Sequence, residues 1–377
     1  MARAPISDTL PEPDRIEGAP HPRDTLALRG QSRAETAFLE AYSSGRMHHG
    51  WLLTGPRGVG KATLAWRIAK FLLATPEEEK GGFFSPEPPR SLDVSADHPV
   101  SRRIAALSES RLFLLRRGPN EKGDALAREI TVGEVRKMKS FFALSAADGG
   151  RRVAIIDAAD EMNIPAANAL LKLLEEPPEG VTMLLIAHQP AKLLPTIRSR
   201  CRVLTLAPLS PEEMAEAMAA AGAEIDDPEA LAELASGSVG AALRIEGLDG
   251  LKLYGDLLRL FEDLPRIDRT RASALAETLV GKGKETRFDL ALELIDLFLA
   301  RLARAGATGV LPPEAGRGEA ALIQRLSPHQ GAARVWADLA QTLGLRARKG
   351  RAVNLDPAAL VLDMLLRIDA AAQGLLR

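Results

Sequence analysis

The sequence has little of several residue types that mark whole classes of protein. It contains one cysteine, Cys201, among 377 residues, which excludes an internal disulfide framework and a zinc site built mainly from thiolates. No apolar run approaches the roughly 20 residues that a membrane-spanning helix requires. The first residues also lack the apolar block and small-residue cleavage site of a secretory signal. We therefore expect a cytoplasmic protein with no membrane segment and no bound zinc.

An excess of charge of one sign is also missing, because 49 lysines and arginines nearly balance 50 aspartates and glutamates. A protein that coats nucleic acid needs a surplus of positive side chains on its binding face. The arginine pairs Arg116-Arg117 and Arg151-Arg152 flank predicted strands, and we interpret them as surface charges rather than DNA contacts. Any contact of this chain with DNA is expected to be local.

Five short and nearly continuous apolar runs are typical of buried parallel strands. The runs cover residues 51–53, 111–115, 153–156, 182–186 and 202–206. Because they alternate with helical patterns, they predict a doubly wound α/β domain. After Leu206 the strand signals stop, and the helix-start signals Ser210-Pro211 and Asp227-Pro228 follow. Helical spacing of apolar residues then continues to the last residues.

These changes of pattern predict four segments. The first is a flexible lead rich in proline and charge, followed by the α/β domain, a small helical lid and an all-α domain. Their predicted bounds are residues 1–21, 22–207, 208–249 and 250–377.

A glycine-rich stretch between the first predicted strand and a predicted helix points to phosphate binding, because loop amides and a lysine hold nucleotide phosphates in that setting. The stretch reads Gly55-Pro56-Arg57-Gly58-Val59-Gly60-Lys61. Ala62 follows where a hydroxyl would hold Mg²⁺, and Thr63 comes one residue late. One residue turns a helical side chain by about 100°, so Thr63 is not expected to replace that hydroxyl. Binding of ATP without hydrolysis remains open.

A second acidic motif is also incomplete. The predicted strand ending at Asp157 has the form of a Walker B strand, whose aspartate orients the metal and whose next residue, a glutamate, positions the attacking water. In this sequence the next residue is Ala158. Asp160 and Glu161 are a possible displaced pair, but their place beyond the strand end favours solvent exposure near a helix start.

The stretch Ile197-Arg198-Ser199-Arg200-Cys201 places two arginines just before the last predicted strand. Taken alone, it is typical of a solvated basic turn. It occurs, however, together with the two motifs above and with a long string before Pro177-Pro178. That string reads Ala167-Asn168-Ala169-Leu170-Leu171-Lys172-Leu173-Leu174-Glu175-Glu176.

In their order and spacing these motifs resemble the AAA+ subunits of bacterial clamp loaders, over roughly residues 22–250. The resemblance implies an AAA+ domain of the P-loop NTPase type, a helical lid and a C-terminal helical collar. Hydrolysing tau/gamma-type subunits carry a P-loop hydroxyl, a Walker B glutamate and a second-sensor arginine. This chain has Ala62, Ala158 and Gly240 at those positions, which is similar to the delta-prime type.

The resemblance further implies assembly with tau/gamma and delta subunits, and action on a sliding clamp and primed DNA through that complex. It also implies that Arg200 reaches the ATP of a neighbouring subunit. Many relatives have a four-cysteine zinc module, but residues 75–110 contain no cysteine. Two alternatives stay open at this point: a hydrolysing tau/gamma-type ATPase, and a DNA-binding or repair factor built on an AAA+ scaffold.

Overall fold

The computed structural model describes residues 12, 20–25, 27–75, 88–120, 126–144, 150–223, 225–281, 283–353 and 355–375. The chain forms two compact units. The first contains Met1–Ala223 and Ser238–Gly240, and the second contains Glu224–Gly237 and Ala241–Arg377. The four predicted segment bounds remain predictions.

A five-stranded parallel sheet is the centre of the first unit. In chain order the strands are β1 (Gly50–Thr54), β2 (Leu112–Arg116), β3 (Arg152–Asp157), β4 (Val181–Ala187) and β5 (Arg202–Thr205). They lie in the order β2-β3-β4-β1-β5, and all four pairings are parallel. Every residue of β1 and β4 is buried, as expected for strands covered on both faces. The five predicted strands and the α/β class are confirmed.

Seven helices surround this sheet in the described part of the first unit. They are α1 (Ser32–Ser43), α2 (Lys61–Ala74), α3 (Pro99–Ala105), α4 (Val132–Leu144), α5 (Ile164–Glu175), α6 (Pro195–Arg198) and α7 (Pro211–Ala220). The Asn163 side chain accepts a hydrogen bond from the Ala166 amide at the start of α5, and Pro177 follows its end. Ser210 and Glu213 form a full capping box at α7. The start of α7 agrees with the sequence prediction.

Helices are the only regular secondary structure in the described part of the second unit. They are α8 (Pro228–Ala235), most of α9 (Val239–Gly247), α10 (Gly250–Phe261), α11 (Arg269–Thr278), α12 (Glu285–Thr308), α13 (Glu319–Leu326), α14 (Gln330–Ala352) and α15 (Pro357–Leu375). The predicted cap at Asp227 is present, because its carboxylate accepts from the Ala230 amide over 3.0 Å. None of the described helices has the length and apolarity needed to cross a membrane.

A buried charged network ties the helices of the second unit together. The Arg301 guanidinium donates to both carboxylate oxygens of Glu319, over 2.6 and 3.1 Å. The Tyr254 hydroxyl donates to the same carboxylate over 2.5 Å, and the Ala315 amide donates over 2.7 Å. Burial and the negative charge of Glu319 raise the pKa of Tyr254 above its usual range. Because each buried polar group has a partner, the cost of burying the charges is offset.

Candidate functional site

The glycine-rich loop lies at the carboxyl end of β1 and leads directly into α2. Gly55 has a φ of +141°, and a Cβ atom there would collide with the carbonyl oxygen of Leu206. Gly58 has a φ of +74°, and a Cβ atom there would collide with the Ser238 hydroxyl. A side chain is therefore excluded at both positions, and the exposed Pro56 lies between them. This geometry lets backbone amides come close to a ligand.

The start of α2 is electrostatically suited to an anion. Gly60 occupies the N-cap position without a side-chain cap, and the first turn carries no acidic residue. The free amides of that turn and the helix dipole therefore favour negative charge. Ala62 and Thr63 follow in the same turn and are half-buried. Ala62 provides no oxygen ligand for a metal ion.

Lys61 is buried against the loop that it follows. Its ammonium group donates to the carbonyl oxygens of Gly55, over 2.7 Å, and of Pro56. Burial lowers the pKa of Lys61 to about 8, while the carboxylates of Asp157 and Asp160 act in the opposite direction. The loop and Lys61 together fit the phosphates of a nucleotide.

Alanine and glycine occupy the two positions beside this loop where the resemblance places groups that complete hydrolysis. Asp157 ends β3, where it can orient a metal ion, but the next side chain is the buried methyl group of Ala158. Gly240 stands where the resemblance places the sensor arginine, and its amide donates to the Gly58 carbonyl over 3.1 Å. The site therefore combines a loop and a lysine that fit phosphates with Ala158 and Gly240 at the positions where the resemblance places a water-orienting carboxylate and a sensor arginine.

The carboxylates of Asp160 and Glu161 both have partners within the protein. The Asp160 carboxylate accepts from the amides of His188 and Gln189, over 3.0 and 2.9 Å, and so holds the end of β4. Glu161 forms ion pairs with Arg57, at 3.2 Å, and with Arg117, at 2.7 Å. Both carboxylates are half-buried, so the predicted solvent exposure is wrong. Their oxygens are used to join loops to the sheet.

His188 directly follows β4 and lies near the charges of Lys61, Arg57 and Asp160. Burial first, and then the positive charges of Lys61 and Arg57, lower the pKa of His188 to about 4. The imidazole is therefore neutral at physiological pH. Among the described residues none hydrogen-bonds its Nδ1 atom. A neutral ring can donate or accept one hydrogen bond there without adding charge.

Gln31 is a residue of this site that sequence reasoning missed. Its side-chain amide donates to the carbonyl oxygens of Val59, over 3.3 Å, and of Ala207, over 2.8 Å. The Ala207 amide donates back to its side-chain oxygen over 3.2 Å. Gln31 is buried and so fixes the glycine-rich loop to the end of β5. A single glutamine before a helix gives no sequence signal of such a contact between distant segments.

Arg200 lies at the other end of the sheet from the loop. Strands β1 and β5 are parallel and in register, with Trp51 beside Arg202 and Thr54 beside Thr205. Arg200 therefore lies beside the start of β1, whereas Gly55 follows its end. The 5 residues of β1 at about 3.3 Å each separate the two places by roughly 16 Å. The structure does not bring Arg200 to the chain's own loop.

The Ser199-Arg200-Cys201 turn is held by its neighbours. Arg200 donates to the Thr196 carbonyl over 3.1 Å and pairs with Glu175 at 2.9 Å. Burial raises the pKa of the Cys201 thiol to about 12, so the sulfur stays protonated and acts in packing. Arg198 is exposed.

The part of the chain that the structure describes contains no cluster of side chains typical of a metal centre. Within the described ranges, no three or more histidine, cysteine, aspartate or glutamate side chains are placed to hold an ion. Residues 76–87, part of the region where relatives carry a zinc module, lie outside those ranges. The predicted absence of zinc therefore stays a prediction.

Comparison with known proteins gives consistent matches. Residues 30–210 match the family model described as DNA polymerase III, delta subunit. DNA polymerase III subunit delta' of Pseudomonas aeruginosa is 36% identical over 233 residues, which are 61% of this chain and 65% of that protein. The same subunit of Escherichia coli is 28% identical over 337 residues, 88% of this chain and 92% of that protein. DNA polymerase III subunit tau of E. coli is 32% identical over 193 residues, 51% and 27% of the two chains.

The aligned part is just under two thirds of the Pseudomonas protein and nearly all of the E. coli delta' protein. Together with the parallel sheet and the loop after β1, these matches agree with the α/β fold and the clamp-loader resemblance that the motifs implied.

Proposed function

Because the chain belongs to the delta-prime family of DNA polymerase III subunits, we propose that it is a clamp-loader subunit that supports ATP hydrolysis by a neighbour. In this proposal it assembles with tau/gamma and delta subunits in the cytoplasm. The complex loads a sliding clamp onto primed DNA, as part of the polymerase holoenzyme. Relatives named as delta' and tau subunits support the choice of partners.

One observation carries the role of Arg200. The side chain lies at the amino end of β5, about one strand length from the chain's own glycine-rich loop. An arginine in that place cannot reach a nucleotide bound by Lys61. It is exposed enough, at 38% of its side chain, to reach a nucleotide held by another subunit. We therefore assign Arg200 the role of an arginine finger that acts in trans.

The chemistry of phosphoryl transfer suits such a division of labour. The transferred phosphoryl group is stabilised mainly by position and charge, and an arginine supplied by a second subunit is worth about three to five orders of magnitude in rate. The neighbour supplies Mg²⁺ ligands and the water-orienting carboxylate. This chain supplies the guanidinium, so its own loss of hydrolytic groups at Ala62, Ala158 and Gly240 does not remove its function.

The chain's own loop is proposed to bind ATP without turning it over. Lys61, the loop amides and the start of α2 would hold the phosphates, and Asp157 would lie near a bound Mg²⁺ ion. The nucleotide would supply negative charge that orders the loop. The alternative of a hydrolysing tau/gamma-type ATPase requires a water-orienting carboxylate, and Asp160 and Glu161 are both engaged elsewhere.

The C-terminal segment, residues 250–377, is proposed to form the collar that joins subunits. Its described part is helical throughout, and exposed apolar side chains lie on and after its long helices. They include Val310, Leu345 and Val353. Apolar side chains of this kind are typical of surfaces that pack against a partner.

The test compares Arg200→Ala with Arg198→Ala in a complex reconstituted with tau/gamma and delta subunits. The two variants lose the same charge two residues apart, and Arg198 is exposed. Arg200→Ala is expected to leave assembly intact by gel filtration, and to remove the share of clamp- and DNA-stimulated ATPase that comes from one site. Arg198→Ala is expected to keep the full rate. An intact Arg200→Ala complex with unchanged ATPase and clamp loading would overturn the proposal.

A further inference from the structure

The Glu175 carboxylate holds the Arg200 side chain in a defined position. The Nη2 atom of Arg200 lies 2.9 Å from Oε1 of Glu175, and Nη1 donates to the Thr196 carbonyl over 3.1 Å. A guanidinium has five N–H donors, and these two contacts leave the Nε–H group and one hydrogen on each Nη atom. The remaining donors can still receive phosphate oxygens while the side chain is held.

Both ends of this ion pair are fixed by the core beneath them. Glu175 ends α5, and the carbonyl of the preceding Leu174 lies 2.9 Å from Nε2 of His49. A Cβ atom on Gly50 would lie 2.9 Å from Leu174 Cδ2 and 3.3 Å from Cys201 Sγ. Leu174 and Cys201 therefore pack against the same point of β1. Glu175 directly follows Leu174, and Arg200 directly precedes Cys201. The packing of Leu174 and Cys201 therefore fixes the distance between the backbones of Glu175 and Arg200.

We infer that Glu175 is the positioning residue of Arg200, which orients the guanidinium toward the nucleotide of the adjoining subunit before the subunits meet. The inference rests on the trans-acting role proposed for Arg200. It gives a function to Glu175 of the long motif string, which the proposed function did not use. An arginine that is already oriented loses less side-chain freedom when it engages a phosphoryl group.

The solvent exposure of the Arg200–Glu175 ion pair indicates whether Glu175 orients Arg200 or withholds it from the nucleotide. The side chains of Arg200 and Glu175 are 38% and 41% exposed, and ion pairs at such exposure contribute little energy. A pair of this strength selects one rotamer of a long side chain but does not compete with a triphosphate carrying several charges. Glu175 therefore raises the rate by orienting Arg200, instead of withholding it from the nucleotide.

Glu176 provides a matched control on the next residue. Its side chain is exposed, and its carboxylate forms no ion pair or hydrogen bond with the described residues. Glu175→Ala and Glu176→Ala remove the same charge from the same end of α5. A difference between them cannot come from net charge or from the helix terminus.

The experiment uses the complex reconstituted with tau/gamma and delta subunits, and measures the Arg200-dependent rate. This rate is the stimulated ATPase of the wild type minus that of Arg200→Ala. Glu175→Ala is expected to lower it about two- to fivefold, the upper value corresponding to about 1 kcal/mol. The loss is expected in kcat with little change in KM, because the guanidinium acts in the transition state. Glu176→Ala is expected to keep the full rate, and Glu175→Gln, which keeps an oxygen acceptor, to fall between wild type and Glu175→Ala.

The double variant separates positioning from a structural effect. In the Arg200→Ala background, Glu175→Ala is expected to cause no further loss, because the residue it positions is gone. An unchanged or faster Glu175→Ala complex, or an equal loss in both backgrounds, would overturn the inference. The proposed function would still stand on the Arg200→Ala result.

If Arg200→Ala itself has no effect, the proposed function fails first. If Glu175→Ala does not assemble, Glu175→Lys keeps a long helical side chain and repels Arg200; an undiminished rate there would be equally decisive.

Discussion

The ammonium group of Lys61 and the carbonyl oxygen of Gly55 are 2.7 Å apart, so the lysine turns back onto the loop from which it emerges. This contact satisfies one of the donors of a side chain that belongs to a residue only 3% exposed. Burial still lowers the pKa of Lys61 to about 8. The charge of this group is therefore titratable close to physiological pH.

Nucleotide binding by the isolated chain is expected to weaken as pH rises. The phosphates need the protonated ammonium, and the protonated fraction falls about tenfold between pH 7 and pH 9 for a pKa near 8. Fluorescent-nucleotide titration should therefore show an affinity about tenfold lower at pH 9. Lys61→Arg stays charged over this range and serves as the control. An affinity that does not change with pH in the wild type would contradict the prediction.

Hydrolysis of ATP by the isolated chain is expected to be negligible. Ala62 supplies no Mg²⁺ ligand, and Ala158 supplies no carboxylate for the water. The measurement is release of labelled phosphate with excess Mg²⁺, and Lys61→Ala gives the background. A turnover near 1 s⁻¹, the low end of ordinary enzymes, would support the tau/gamma-type alternative.

Replacement of Arg200 by lysine is expected to recover only part of the ATPase of the reconstituted complex. Lysine keeps a positive charge, but it lacks the planar fork that binds two phosphate oxygens at once. Steady-state ATPase of the wild type, Arg200→Ala and Arg200→Lys complexes should therefore fall in the order wild type, lysine, alanine. Full activity of the lysine variant would show that charge alone is required.

The buried network of the second unit is expected to dominate its stability. Arg301→Met leaves the buried Glu319 charge without its guanidinium partner, and breaking a buried pair in this way costs about 3–5 kcal/mol. The control variant is Arg244→Met, which breaks the exposed ion pair of Arg244 with Glu293. Loss of an exposed pair costs at most about 1 kcal/mol. Urea unfolding followed by circular dichroism should show a much larger drop in midpoint for Arg301→Met. Equal drops for the two variants would contradict this ranking.

The strands and helix starts could be predicted because their signals are local. Continuous apolar runs identify buried parallel strands, and the caps at Ser210 and Asp227 need only neighbours a few residues away. The order of the motifs was likewise enough to place Gly55 and Asp157 at the carboxyl ends of strands and Lys61 at the start of a helix. Each of these signals is contained in fewer than about fifteen residues.

Contacts between distant segments could not be predicted in this way. Arg152 was interpreted as a surface charge, but it is only 4% exposed and donates to the Phe142 carbonyl over 3.0 Å. The prediction is wrong because the end of α4 meets the start of β3, which the charge pattern does not reveal. The same reason hid the bond of Asp160 to the end of β4 and the bridge made by Gln31.

The parallel direction of β1 and β5 also has a consequence for assembly. A sheet whose strands all run in one direction has two different ends. The loop after β1 lies at the carboxyl end of the strands, and Arg200 lies at the amino end. If the arginine side of one subunit meets the loop side of the next, the contact is heterologous, because the two partners contribute different surfaces. Such contacts give the assembly a direction. A subunit that contacts a neighbour only through its arginine side would then be the last subunit at one end of the assembly.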